Sequence, residues 1–256
     1  MKKTGQLQAV WGVLPILVFL FLWEIVGRFN LFPGQFFFPP FSSVAKEFYH
    51  LTANGVLGKN FISSLTRVLI GLISGSTAGI AVGIFMGWKD IANKALNPII
   101  SLLYPIPALG WLPLLMLWIG INELLPITII FICSFFPVVY NTTTGIKNVD
   151  RRYVYAAETL GASNMRILFK VVVPLALPNI FTGLKLEAGM SWRVLVAAEM
   201  VAIPTGIGAL LMQAESLVRV DIIMVCLIVL SIMCLTFEKI FALAERYIVG
   251  KWSNYA

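Results

Sequence analysis

Arg67, Lys185, Glu187, Arg193 and Glu199 all stand inside long apolar runs. Hydrocarbon does not solvate charge, so such residues face protein, water or a passing ion. Residues suited to bond chemistry are scarce by comparison. His50 is the single histidine, and it falls in a polar connection. Cys133, Cys226 and Cys234 lie in apolar runs without a ligand spacing, which predicts buried thiols rather than a disulfide frame or a zinc site. No metal site is expected. No carboxylate pair is set within one helix at the spacing of HExxH or DxxD, and no Gly-rich loop ends in Gly-Lys-Ser/Thr to cradle a nucleotide. The chemistry that remains is the guidance of charge along a route through a membrane. Trp192, Glu199, Arg193 and Arg67 are the candidates to line it, and an anion would favour the arginines. Lys185, Trp192 and Glu199 are seven residues apart and share one helical face. Two plainer readings stand beside this one. Glu199 and an arginine could form a packing ion pair, and Arg67 could snorkel to the interface.

The composition sets the frame for these residues. The 256-residue chain is 59% hydrophobic and 12% charged, with a mean hydropathy of +0.89. That marks an all-α integral membrane protein, and about 20 residues per span leave room for five to seven helices. Met1-Lys2-Lys3 precedes a first apolar run, from about Val10 to Gly27, that lacks a small-residue cleavage site. It reads as a retained span with Trp11 and Trp23 as interfacial anchors. A connection rich in proline (Pro33, Pro39, Pro40) leads to Ser42–Leu51, an amphipathic stretch expected to lie along the membrane surface.

The second span, about Phe61 to Gly87, carries Gly71, Gly75, Gly79, Gly83 and Gly87 at intervals of four. Glycine at this spacing lays a bare ridge against which another helix packs closely. A polar connection over Trp88–Asn97 and a third span over Pro98–Gly120 follow. Pro105, Pro107 and Pro113 must kink or break that span. A turn at Ile121–Glu123 leads to a fourth span, Leu124 to about Thr142. The fifth runs from about Asn179 to Ile203, and the last from about Asp221 to Tyr247. Six spans put both termini on one side, together with Lys89, Lys94, Lys147, Arg151, Arg152, Arg166 and Lys170. That excess predicts a cytoplasmic face. The net charge of +7 is therefore topological, and no nucleic-acid partner is expected.

Between spans four and five lies the polar stretch Arg151–Pro178. It reads as a helix, a left-handed turn at Gly161 and a second short helix stopped by Pro174. Ala156-Ala157-Glu158-Thr159-Leu160-Gly161, followed by Val171-Val172-Val173-Pro174, resembles the EAA motif of ABC importer permeases. Tyr155 stands where the family pattern opens with Glu. Ser64–Gly71, Pro105–Leu114 and Ala197–Met200 extend the resemblance, which is softest at the level of the nitrate, sulfonate, taurine and bicarbonate subgroup.

The resemblance implies a type I ABC importer permease fold: six transmembrane helices with a cytoplasmic coupling hairpin over 151–178. It divides the chain into an N-terminal helix and connection, 1–60, and a permease core domain, 61–256. Tyr155, Ala156, Ala157, Glu158, Leu160, Gly161 and Pro174 would couple to an ABC ATPase. A second permease copy would complete a homodimer in the bacterial inner membrane, and an extracytoplasmic solute-binding protein would deliver a small anion. This subunit would hydrolyse nothing and bind no cofactor; ATP and Mg would sit on the ATPase. A stand-alone secondary transporter or channel also fits broken spans and intramembrane charge, but leaves the hairpin unexplained. A membrane-embedded enzyme fits less well.

Overall fold

The computed structural model describes residues 2–29 and 37–253, with side chains over 14–29 and 37–249. Pro33 and Gly34, and the side chains of Lys2, Lys3, Trp11 and Lys251, lie outside the described residues. The elements are α1 (Lys2–Phe29), α2 (Phe41–Ala53), α3 (Val56–Trp88), α4 (Asp90–Leu103), a 3-10 turn (Ala108–Trp111), α5 (Leu112–Ile119), α6 (Leu124–Lys147), α7 (Arg151–Thr159), α8 (Asn164–Ile167), a π-helical turn (Leu168–Val172), α9 (Val173–Ala202), α10 (Ile207–Ser216) and α11 (Val220–Ser253). Four helices are long and apolar enough to cross a membrane: α3, α6, the continuous helix Asn164–Ala202, and Val220–Val249 of α11. The pair Asp90–Leu103 and Ala108–Ile119, bent by 87°, passes the same test only if taken together, as a broken span or a re-entrant loop. Six spans are expected; α1, whose side chains are described only from residue 14, is not among these. Phe19 and Phe21 of α1 are exposed, as contact with lipid allows.

α3, α6, α9 and α11 form the central bundle, each lying along the next. Val68, Leu72, Ile130, Trp192, Leu195 and Phe237 interlock at its centre. The glycine ridge of α3 faces α6. A Cβ on Gly83 would stand 2.5 Å from Thr142 Cβ, and one on Gly87 2.5 Å from Ile146 Cβ. Both helices thus step by four residues along one seam, and backbone contact replaces side-chain contact.

Several boundaries differ from the sequence reading, each for a local reason. The connection expected over Trp88–Asn97 narrows to Lys89, which is extended (φ −111°, ψ 110°). Its charges ride on a helix instead: Ala92 and Ile100 are buried while Lys94 is exposed. Pro98 therefore sits within α4. The boundary expected at residue 60 falls inside α3. α2 does form, but it turns Val44 and Leu51 into a cluster with Ile207, Ile222 and Val225, so part of its apolar face is spent on protein. Trp23 donates its indole N–H to the Pro39 carbonyl at 3.0 Å, and Glu24 accepts from the Ser42 backbone N–H at 2.9 Å. These bonds fix the end of α1 to the start of α2.

Pro174 does not stop the second helix of the hairpin. The helix runs unbroken from Asn164 to Ala202. A proline inside a helix lacks the N–H for the carbonyl four residues back and crowds it. Here that carbonyl belongs to Lys170, and Leu168–Val172 is wound as a wider π turn. The wider turn moves the carbonyls off the ring, so the hairpin's second helix continues into a membrane span without a break.

Candidate functional site

The hairpin begins with a cap. Asp150 accepts from the Arg152 backbone N–H at 2.9 Å and from its guanidinium Nε at 2.7 Å. The Arg152 guanidinium holds the Asp150 carboxyl below its ordinary range. α7 ends at Gly161 (φ 75°). The Gly161 N–H bonds the Glu158 carbonyl at 2.8 Å and the Ala162 N–H bonds the Ala157 carbonyl at 3.0 Å. This pair of bonds is the Schellman closure, which satisfies the last carbonyls of the helix. Both ends are thus closed by local bonds, and none of α7 is buried. Tyr155, Ala156, Glu158 and Gly161 are exposed, Ala157 is half-buried, and Leu160 is 88% exposed. Pro174 is buried at the foot of α9 and is no part of this surface.

A second polar assembly forms where α3, α9 and α10 meet. Glu199 is 0% and Arg67 3% exposed. Arg67 Nη1 donates to Glu199 Oε1 at 2.6 Å and to the Thr205 carbonyl at 2.7 Å. Its Nε and Nη2 form a fork on Glu123, at 2.7 and 2.8 Å, and Nη2 also donates to Thr205 Oγ1 at 2.7 Å. Ser64 Oγ donates to Glu199 and accepts from the Ile207 N–H at 2.9 Å. The Gly208 N–H reaches Glu199 Oε2 at 3.0 Å. The N-terminus of α10 therefore points two backbone donors into the cluster, where negative charge is favoured. A Cβ at Gly206 would strike the Glu199 carboxylate, and one at Gly208 the Val196 carbonyl. Glycine at both positions lets the loop wrap the carboxylate.

Arg67 thus does not snorkel; it is the centre of a closed network. Of the four residues singled out for a pathway, Arg67 and Glu199 are brought together. Trp192 is buried, stacked on Phe61 with centroids 6.4 Å apart and edge-on to Phe237. Arg193 is exposed, with Nη1 3.6 Å from Met190 Sδ. Lys185, on the Trp192–Glu199 face, is ion-paired with Glu245 at 2.5 Å. Sequence reasoning missed Ser64, Glu123 and Thr205 as partners. The only local signal was the pair Gly206 and Gly208 following Pro204, which marks a loop that must approach something closely.

A third feature lies between α6, α9 and the bend of the broken span. A cavity of about 280 Å³ is lined there by Tyr104, Ile106, Cys133, Pro137, Glu187 and Met190, among others. Glu187 is 6% exposed and accepts from Cys133 Sγ at 3.3 Å. Cys226 and Cys234 are buried free thiols, and Cys133 is a half-buried one. No group of three or more His, Cys, Asp or Glu that could hold a metal occurs among the described residues.

A glycine-seamed bundle with a bent helix pair and a polar hairpin continuous with a span defines a polytopic transport subunit. A family model described as "binding-protein-dependent transport system inner membrane component" matches residues 75–253. A putative ABC transporter permease protein of Methanocaldococcus jannaschii is 40% identical over 206 residues, covering 80% of this chain and 76% of that protein. The taurine transport system permease protein of Escherichia coli is 34% identical over 226 residues, covering 86% and 82%. The nitrate import permease protein of a Synechocystis strain is 36% identical over 193 residues, covering 75% and 70%. In structure, a chain of the MetNI methionine ABC transporter in an inward-facing conformation aligns with a TM-score of 0.63 at 15% identity, covering 73% of this chain and 93% of that one. The chain belongs to the binding-protein-dependent transport family: it is a permease subunit of an ABC importer, a multi-pass inner membrane protein.

Proposed function

We propose that this chain forms half of the membrane channel of an ATP-driven importer for a small sulfonate- or nitrate-like anion. The solute class rests on the relatives, which are named for taurine, aliphatic sulfonates, nitrate and bicarbonate. A second copy of the chain completes the channel. A separate ATPase binds ATP and Mg, and a solute-binding protein docks on the opposite face. The excess of Lys and Arg about the hairpin orients it, with both termini, toward the cytoplasm.

The observation that carries this reading is the hairpin itself. It is capped at both ends, presents Tyr155, Leu160 and Met165 to the outside, and continues without a break into a membrane span. A rigid lever with an apolar tip suits a groove on a moving partner. Tyr155, Ala156, Ala157, Glu158, Leu160 and Gly161 form its contact surface, and Pro174 with the π turn forms its root. At the other end, the Arg67–Glu199 network joins α3 to the loop before α10 and acts as the outer closure of the route. Trp192 packs the wall, and Arg193 offers positive charge outside the network.

The test is copurification and uptake. Leu160→Asp places a charge on the exposed tip, and it should release the ATPase and abolish ATP-driven uptake in proteoliposomes. Retention of the ATPase at the wild-type ratio would remove the hairpin from the coupling role.

A further inference from the structure

The importer reading leaves the Glu187 cavity unused, and that cavity bears on which solutes pass. Glu187 is the one charged residue in its lining. Its bonding partner there is the Cys133 thiol, a weak donor, whereas a carboxylate offers about four acceptor sites. Pro137, one helical turn after Cys133, has no N–H to offer the Cys133 carbonyl, and both residues line the same space. Among the lining side chains the donors are the Cys133 thiol and the Tyr104 hydroxyl, and the thiol alone is bonded to Glu187. Arg193, a near neighbour in sequence, does not line the cavity.

The opposite wall is the irregular backbone Tyr104–Pro107 at the 87° bend. At membrane depth such backbone is tolerated where it is buried in protein or borders a watered cavity. The volume lies just under the ~300 Å³ at which pockets for drug-sized ligands begin, which suits a solute of few heavy atoms. A bare anion would gain no hydrogen bond from an ionised Glu187. A solute carrying hydrogen-bond donors and positive charge would complete the carboxylate's bonding.

We propose that this cavity is a station on the solute's route and that Glu187 receives a primary ammonium group there, so that the transported species is a small zwitterion such as an amino-sulfonate. The inference rests on the importer reading above and narrows its anion class.

Cys133 supplies the readout. The permease, copurified with its ATPase, is treated with N-ethylmaleimide, and modification at Cys133 is followed by peptide mass spectrometry. Two probes are compared: taurine, and isethionate, in which a hydroxyl replaces the ammonium. Saturating taurine should slow modification by about threefold or more, as occupancy of a site requires, and isethionate should not. Glu187→Gln should erase the taurine effect, judged as the ratio of its own rates with and without solute, since losing the carboxylate beside the thiol also changes the basal rate. Equal protection by the two probes, protection by neither, or protection that survives Glu187→Gln would overturn the inference. The probe comparison is made in the wild-type protein, so it does not depend on the variant folding. ATP-driven uptake by the same assembly reports separately. Uptake without differential protection rejects the ammonium site alone, whereas failure of any ATPase to copurify rejects the importer reading.

Discussion

The Arg67–Glu199 network and the 151–178 hairpin are both polar interruptions of an apolar chain, and they are built in opposite ways. In the network, Arg67, Glu199 and Ser64 are buried and bonded to groups drawn from α3, α9, α10 and the turn before α6. In the hairpin, bonding is local and closes the two ends of α7; Val154 and Ala157 pack inward and the opposite side is exposed. A polar group saturated by its own chain holds that chain together. A surface that is ordered but left uncovered is free for the coupling role proposed above.

The contrast is tested hardest at Arg67. Arg67→Met leaves Glu199 charged and buried without its counter-ion, and stability should fall by about 3–5 kcal/mol. The unfolding midpoint of the detergent-solubilised protein measures this, and Arg67→Met with Glu199→Gln should recover part of the loss. A single variant as stable as the wild type would remove the network from the structural role. The next largest effect is expected at Gly83, where the seam leaves no room. Gly83→Val must part α3 from α6, at a cost of about 1–3 kcal/mol for overpacking. An unshifted midpoint there would mean that the seam yields more readily than the close contacts imply.

Legibility followed the range of each interaction. The glycine ridge, the turn at Gly161 and the broken third span depend on near neighbours in sequence, and they could be read from spacing. The hairpin's root could not. Pro174 has the same local chemistry whether it ends a helix or sits behind a π turn, and the packing of Ile167, Leu168 and Val172 against Ile146 and Ile180 favours the second. The network was half legible: an Arg–Glu pair was among the readings, but the side-chain partners of Glu199 lie 132 and 135 positions away, beyond any periodicity. The Glu187 cavity was least legible, because it needs the bend at Tyr104, a proline in α6 and a carboxylate in α9 to arrive at one level.

The hairpin should respond weakly in stability and strongly in coupling. Gly161→Val forces a β-branched residue into left-handed backbone, costing roughly 1–2 kcal/mol, with open space around the new side chain. Its midpoint should therefore move less than that of Arg67→Met, while ATP-driven uptake is lost. Equal loss of stability in the two variants would erase the distinction between a self-saturated site and one awaiting a partner.

The smallest effect belongs to Glu123, the rim of the network. Its side chain is 66% exposed, so solvent screens the pair and the contribution should stay below about 1 kcal/mol. Arg67 holds the Glu123 carboxyl below its ordinary value of 4.5. A lowered carboxylate stabilises the fold above its unfolded pKa, and that stability is lost as pH falls through the folded value. The midpoint difference between wild type and Glu123→Gln should then be constant near neutrality and close toward zero in acid. A difference that persists undiminished below the folded value would show that Glu123 acts through packing. Its fork on Arg67 would then be a consequence of where the turn lies rather than a reason for it.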